Sequence, residues 1–233
     1  MSTTQNHMAT SLSKGRLHSR PASPEEQGEV GLHTLEIPDS RRPSLVYVPQ
    51  SYSPQKPIPV ALMFHGAGGS PHDGLALLQN EAEKSGLLLI APGSREATWD
   101  VIAGGYGPDA RCIDSALKHV FSHYTVDPDH MAIGGFSDGA SYALSLGITN
   151  GQLFSHIIAF SPGFMSPTQQ PDSPRIFISH GTQDPVLPIE ACSRRLVPAL
   201  EQAGYDVHYH EFSGEHTIRP DIRTEAVNWF LRA

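Results

Sequence analysis

The chain has 233 residues, with 16 basic against 24 acidic side chains and a formal net charge of −8. Its 39% apolar content, with 21 glycines besides, lies in the globular range and excludes a disordered, collagen-like or low-complexity chain, and the acidic balance sets nucleic acid aside as a partner. Cys112 and Cys192 make neither a disulfide framework nor a zinc spacing, and no apolar run nears the ~18 residues of a membrane span.

Residues 1–28 are polar and aperiodic and read as a disordered or draped N-terminal tail. They hold no apolar stretch of the kind a secretory signal needs, so a cytoplasmic protein is expected; a transit peptide is the alternative for this Ser-rich segment. Residues 29–233 show no dividing linker and read as one domain. Gly31–Ile37 alternates like an edge strand, and Ser44–Val48 is a second strand, stopped by Pro49. Val60–Phe64 is a short continuous apolar run, the pattern of a strand buried on both faces. A helix is expected over residues 72–84 and a buried strand over 87–91. Ile113, Ala116, Leu117, Val120 and Tyr124 share one face of a helix spanning 110–124. Strands follow at 131–134, 157–160, 176–179 and 207–212, with helices at 139–146, 190–203 and 222–231. Alternating strands and helices imply an α/β fold with a mostly parallel central sheet and helices on both faces.

In such sheets, functional residues collect at the carboxyl ends of strands. Four loops of this kind carry unusual chemistry. Gly135-Phe-Ser137-Asp-Gly139 joins a strand to a helix. That is the setting in which a serine on a tight turn aims its hydroxyl into a cleft, with small flanking residues allowing close approach. His65-Gly66-Ala67-Gly68-Gly69 follows the buried Val60–Phe64 strand and can present backbone N–H groups. With the N–H of Asp138, such a loop forms an oxyanion hole. It lacks the Lys-Ser/Thr and glycine order of a nucleotide loop. Asp184 and His216 each follow a later strand. The chain order Ser137, Asp184, His216 is that of α/β-hydrolase catalytic triads.

These motifs resemble the phospholipase/carboxylesterase family of α/β-hydrolases, which includes acyl-protein thioesterases. The resemblance runs from about Leu45 to Phe230. It is carried by His65-Gly66, Gly135-Phe-Ser137-Asp-Gly139, His180-Gly-Thr-Gln-Asp184-Pro-Val-Leu-Pro and Gly214-Glu-His216. It implies an α/β-hydrolase fold with Ser137, Asp184 and His216 as catalytic residues and the N–H groups of Ala67 and Asp138 as the oxyanion hole. The chain departs from the family in having Asp138 where glutamine often follows the serine, and Glu215 where glycine often precedes the histidine. Only the backbone of residue 138 is needed for the oxyanion role.

The expected function is a serine carboxylesterase acting on small to medium acyl esters, with a small-molecule ester as partner and no cofactor. Thioesterase, lysophospholipase, peptidase and polyester-depolymerase activities are alternatives on the same triad, as is an inactive hydrolase fold used for binding. Trp99 and Tyr106, in the loop after residue 92, are expected pocket walls. So are Phe164, Met165, Val186 and Leu187. No insertion is long enough for a lid. No metal site is expected, because His119 and His123 stand i, i+4 without the intervening Glu of H-E-x-x-H and read as a solvated helix face. A homodimer stays open.

Overall fold

The computed structural model describes residue 12, residues 14–38 and residues 40–232. Eight strands form one sheet: β1 (Gly31–Leu35), β2 (Ser44–Val48), β3 (Ile58–Phe64), β4 (Leu88–Ala91), β5 (Val126–Phe136), β6 (His156–Phe160), β7 (Arg175–Gly181) and β8 (Val207–Phe212). Their spatial order is β1-β2-β4-β3-β5-β6-β7-β8. The first two pairings, β1 with β2 and β2 with β4, are antiparallel. All later pairings are parallel. Among the described residues the helices are α1 (Pro71–Ala76), α2 (Gln79–Ser85), α3 (Pro108–His123), α4 (Asp138–Thr149), α5 (Ser193–Gln202) and α6 (Pro220–Phe230).

The period-2 geometry of a strand explains the two apolar layers. On β3, Val60, Leu62 and Phe64 pack with α3, α4 and α5 side chains on one face. Ala61 and Met63 pack with Leu75, Leu78, Ala82, Ile222 and Phe230 on the other. Helices therefore cover both faces, as the alternating pattern implies. The expected helix over 72–84 is in fact two. The backbone leaves helical geometry at Leu78 (φ −134°), where Leu77 and Leu78 both turn into the core. β5 is longer than expected, because residues 126–130 continue the strand below its apolar part.

The N-terminal segment is draped over the domain along its described residues. From Lys14 to Gly28 it is strapped across α3 and α4. Leu12 and Leu17 sit in the core. The buried Asn150 side chain accepts from Leu17 N–H at 2.8 Å and donates to Gly15 O at 2.7 Å. Asp114 Oδ1 accepts from the His18 and Ser19 N–H groups, and the Glu25, Glu26 and Gly28 N–H groups reach carbonyls at the end of α3. The strap also half-buries His119 and His123, which stack at 4.0 Å, with Glu26 3.2 Å from His123. That face is partly covered by protein.

Candidate active site

Ser137 sits between β5 and α4, with a left-handed backbone (φ 57°, ψ −120°). Such a conformation costs a non-glycine residue about 1–3 kcal/mol and persists only where its surroundings impose it. Here they do. Ser137 N–H donates to Phe160 O at 2.9 Å, and its carbonyl accepts from the Ala140 and Ser141 N–H groups at 3.0 Å. The turn is pressed against the end of β3: a Cβ on Gly139 would lie 2.4 Å from Phe64 O and 2.5 Å from His65 O. Only glycine allows that approach, so the spacing seen in the sequence has a steric cause.

The loop after β3 is fixed by its carbonyls. Trp99 Nε1–H donates to His65 O at 2.9 Å. His65 Nδ1 lies 2.7 Å from Gly66 O, which also accepts from Gly69 N–H at 3.1 Å. A carbonyl only accepts, so His65 Nδ1 carries the proton, and Nε2 accepts from Ser94 N–H at 3.2 Å. Burial lowers the pKa of His65, in keeping with a neutral ring. Across a trans peptide the C=O and the next N–H point in opposite directions. Holding Gly66 O inward therefore turns Ala67 N–H outward, on an exposed residue. The N–H of Asp138 opens α4 and has no intrahelical partner.

Asp184 and His216 are joined directly, with His216 Nδ1 2.5 Å from Asp184 Oδ2. The Asp184 side chain is fully buried. Burial raises its pKa, but the Leu187 N–H, His216 and the Val186 N–H outweigh that and hold the carboxyl below its ordinary value. The two loops are laced together: Thr182 N–H donates to Phe212 O at 2.8 Å and Gln183 N–H to Gly214 O at 2.9 Å. A Cβ on Gly181 would stand 2.3 Å from Glu215 O, so this contact too requires glycine. The His216 ring lies over Phe136, the residue before Ser137, at 4.6 Å. No hydrogen bond joins the Ser137 hydroxyl to His216 among the described residues. Such looseness is common in unliganded catalytic sites.

The expected pocket walls separate into two groups. Phe164, Met165 and Leu187 are partly exposed and Val186 is 62% exposed. Trp99 is wholly buried and Tyr106 nearly so. Trp99 stacks on Tyr142 at 5.0 Å beneath the His65 loop, and Tyr106 packs against Tyr142 and Gly15. These two are supports of the site rather than its open walls, because their loop folds inward. The sequence reading also missed a hydroxyl ladder on α4. The Ser141, Ser145 and Thr149 hydroxyls donate to the carbonyls four residues back. They accept from the Gly163, Ser166 and Thr168 N–H groups. The ladder fixes the loop that carries Phe164 and Met165, and three hydroxyls at i, i+4 on an apolar helix were its visible signal.

Two buried carboxylates hold the loop before α3. Asp109 accepts from the Arg95 and Asp100 N–H groups, and Asp100 Oδ2 accepts from the Gly107 and Asp109 N–H groups. Burial, then the Asp100 charge, pushes the Asp109 carboxyl up to about 6. The native state therefore holds a proton that the unfolded chain has released between about pH 4 and 6. Stability should fall as pH rises through that window, by about 3 kcal/mol at most, and level off above it. Denaturant unfolding of the wild type and Asp109→Asn at both ends of the window checks this. The variant should show the flatter pH dependence; equal slopes would refute the assignment.

Among the described residues no group of three His, Cys, Asp or Glu is arranged to hold a metal ion, and no helix is long and apolar enough to cross a membrane.

This sheet order, with a strained turn between β5 and α4, defines an α/β-hydrolase fold. A model of the phospholipase/carboxylesterase family matches residues 110–232, and the chain belongs to that family. The matched span includes Ser137, Asp184 and His216 but not the His65–Gly69 loop. A probable feruloyl esterase C of Aspergillus terreus is 27% identical over 158 residues, covering 64% of this chain and 57% of that protein. The chain thus matches little more than half the length of that relative. Acyl-protein thioesterase 1 of Kluyveromyces lactis is 29% identical over 165 residues, 56% of this chain and 72% of that one. Among solved structures, esterase PE8 superposes with a TM-score of 0.65 at 23% identity, covering 79% of this chain and 95% of that one. A ferulic acid esterase from Anaeromyces mucronatus superposes with a TM-score of 0.62 at 17% identity, covering 92% and 96%.

Proposed function

We propose that the chain is a serine carboxylesterase hydrolysing small to medium acyl esters. The observation that carries this is the His216–Asp184 pair at the same end of the sheet as a strained Ser137. His216 Nε2 takes the proton of Ser137 as its Oγ attacks the ester carbonyl. Asp184 keeps the His216 proton on Nδ1 and stabilises the imidazolium. The Ala67 and Asp138 N–H groups receive the developing oxyanion. The alcohol leaves with the proton from His216, and water activated by the same ring hydrolyses the acyl-enzyme.

The partly exposed Phe164, Met165, Val186 and Leu187 offer an apolar rim to the acyl or alcohol group. No segment between the strands is long enough for a lid, which favours dispersed esters over lipid aggregates.

A fluorophosphonate probe tests the reading: one adduct, mapped to Ser137, is expected. An adduct elsewhere, or none, would refute it. A panel of p-nitrophenyl acetate, butyrate, hexanoate and palmitate, with a feruloyl ester and a palmitoyl thioester beside them, then locates the substrate. Acetate to hexanoate should be preferred. A palmitate optimum with interfacial activation would overturn the substrate assignment.

A further inference from the structure

His180, at the end of β7, is fully buried and makes no contact with the open cleft. Its ring is nonetheless bound on both nitrogens. Nδ1 lies 2.6 Å from Ser193 Oγ, and Nε2 lies 2.8 Å from Leu187 O and 3.2 Å from Asp184 Oδ2. Leu187 O can only accept, which places the His180 proton on Nε2. Nδ1 is then an acceptor, and the buried Ser193 hydroxyl at the start of α5 donates to it. The ring is neutral, and burial lowers its pKa in the direction that keeps it so.

The same Leu187 also donates its N–H to Asp184 Oδ1 at 2.8 Å, beside Val186 N–H at 2.9 Å. His180 therefore holds the far side of the turn that supplies both N–H groups to one carboxylate oxygen. Its Nε2 also stands 3.2 Å from the other oxygen, the one His216 uses, close enough for the N–H dipole to act on that carboxylate. From this geometry we infer that His180 is a positioning residue for the proposed triad, fixing the Asp184 carboxylate and moderating its pull on His216. The inference rests on the reading of Ser137, His216 and Asp184 as that triad.

The titratable groups near the pair are His216 from the loop after β8, Glu211 at the end of β8, bound by Arg194, and Cys192 at the start of α5. None of them occupies the His180 position between Leu187 O and Asp184.

His180→Ala and His180→Asn remove the Nε2 donor. Both should lower kcat roughly 10–100-fold, the scale seen when an outer partner of a functional ligand is lost, with KM nearly unchanged. His180→Gln places an amide N–H near the Nε2 position and should recover most of the loss. Without the second donor, Asp184 pairs more strongly with His216 and favours the imidazolium. The acid limb of kcat/KM should therefore move to higher pH in the Ala and Asn variants. A merely structural role would lower kcat at every pH and leave the limb in place. His180→Asn serves as the test if His180→Ala does not fold.

Ser137→Ala, assayed alongside, separates the two ideas. If it keeps its turnover, the triad reading fails and this inference with it. If Ser137→Ala is inactive while His180→Asn keeps the wild-type kcat and acid limb, only the role of His180 is overturned.

Discussion

Ser137→Ala is expected to lower kcat on a short p-nitrophenyl ester by roughly 10⁶, the scale on which a catalytic serine is lost. The fold should hardly notice. The Ser137 hydroxyl makes no hydrogen bond among the described residues, and alanine keeps the Cβ that the left-handed backbone already accommodates. Unfolding free energy should stay within about 0.5 kcal/mol of the wild type, the usual range for a substitution that breaks no buried contact. A residual rate about 10³–10⁴ above that in water should survive, because the Ala67 and Asp138 N–H groups and the cleft are untouched. The check is turnover together with an unfolding curve on the same preparation. Wild-type turnover in Ser137→Ala would remove the serine from the mechanism. A large loss of stability would mean that the hydroxyl supports the turn.

The part of the site legible in the sequence is the part written in backbone terms. Gly139 is glycine because a Cβ there would meet the Phe64 and His65 carbonyls, and such a constraint leaves a mark at a fixed spacing from Ser137. The order of Ser137, Asp184 and His216 was readable because each follows a strand pattern, continuous and apolar before the first two and alternating before His216. What side chains do from inside was not readable. Trp99 stands in a loop at the rim, yet its ring turns under the His65 loop and bonds its carbonyl, and no periodicity in a loop of that kind signals which way a ring points. His180 lay within a motif singled out for Asp184, but its role passes through the Leu187 carbonyl, which has no letter in the sequence. The attachment of the N-terminal strap was unreadable for the same reason. Its anchors are Asn150 and Asp114, more than ninety residues away, and its buried leucines are isolated in a polar stretch. The break at Leu78 was hidden because no glycine or proline marks it.

Asp184→Asn should cost about 10⁴ in kcat, and the surroundings of the carboxylate show why an isosteric change is so damaging. Asp184 Oδ1 accepts from the Val186 and Leu187 N–H groups, which can only donate. In Asp184→Asn the amide oxygen must therefore stay on that side, and the NH₂ group faces His216 and His180. Facing a donor, His216 Nδ1 becomes an acceptor, so its proton moves to Nε2. That nitrogen then offers a hydrogen to Ser137 instead of a lone pair, and the base is lost with the ring still in place. On its other side the new NH₂ meets His180 Nε2–H, a second donor. His180 keeps Leu187 O as its acceptor, so the second amide hydrogen is left unpaired, at a cost of about 1–3 kcal/mol. The variant should consequently be both slow and less stable, unlike Ser137→Ala, with KM little changed because Asp184 does not reach the cleft. Fluorophosphonate labelling should slow in parallel with turnover, since both need the proton of Ser137 to be removed. Undiminished labelling with slow turnover would place the defect in deacylation alone, and unchanged kcat would dismiss Asp184 as the partner of the base.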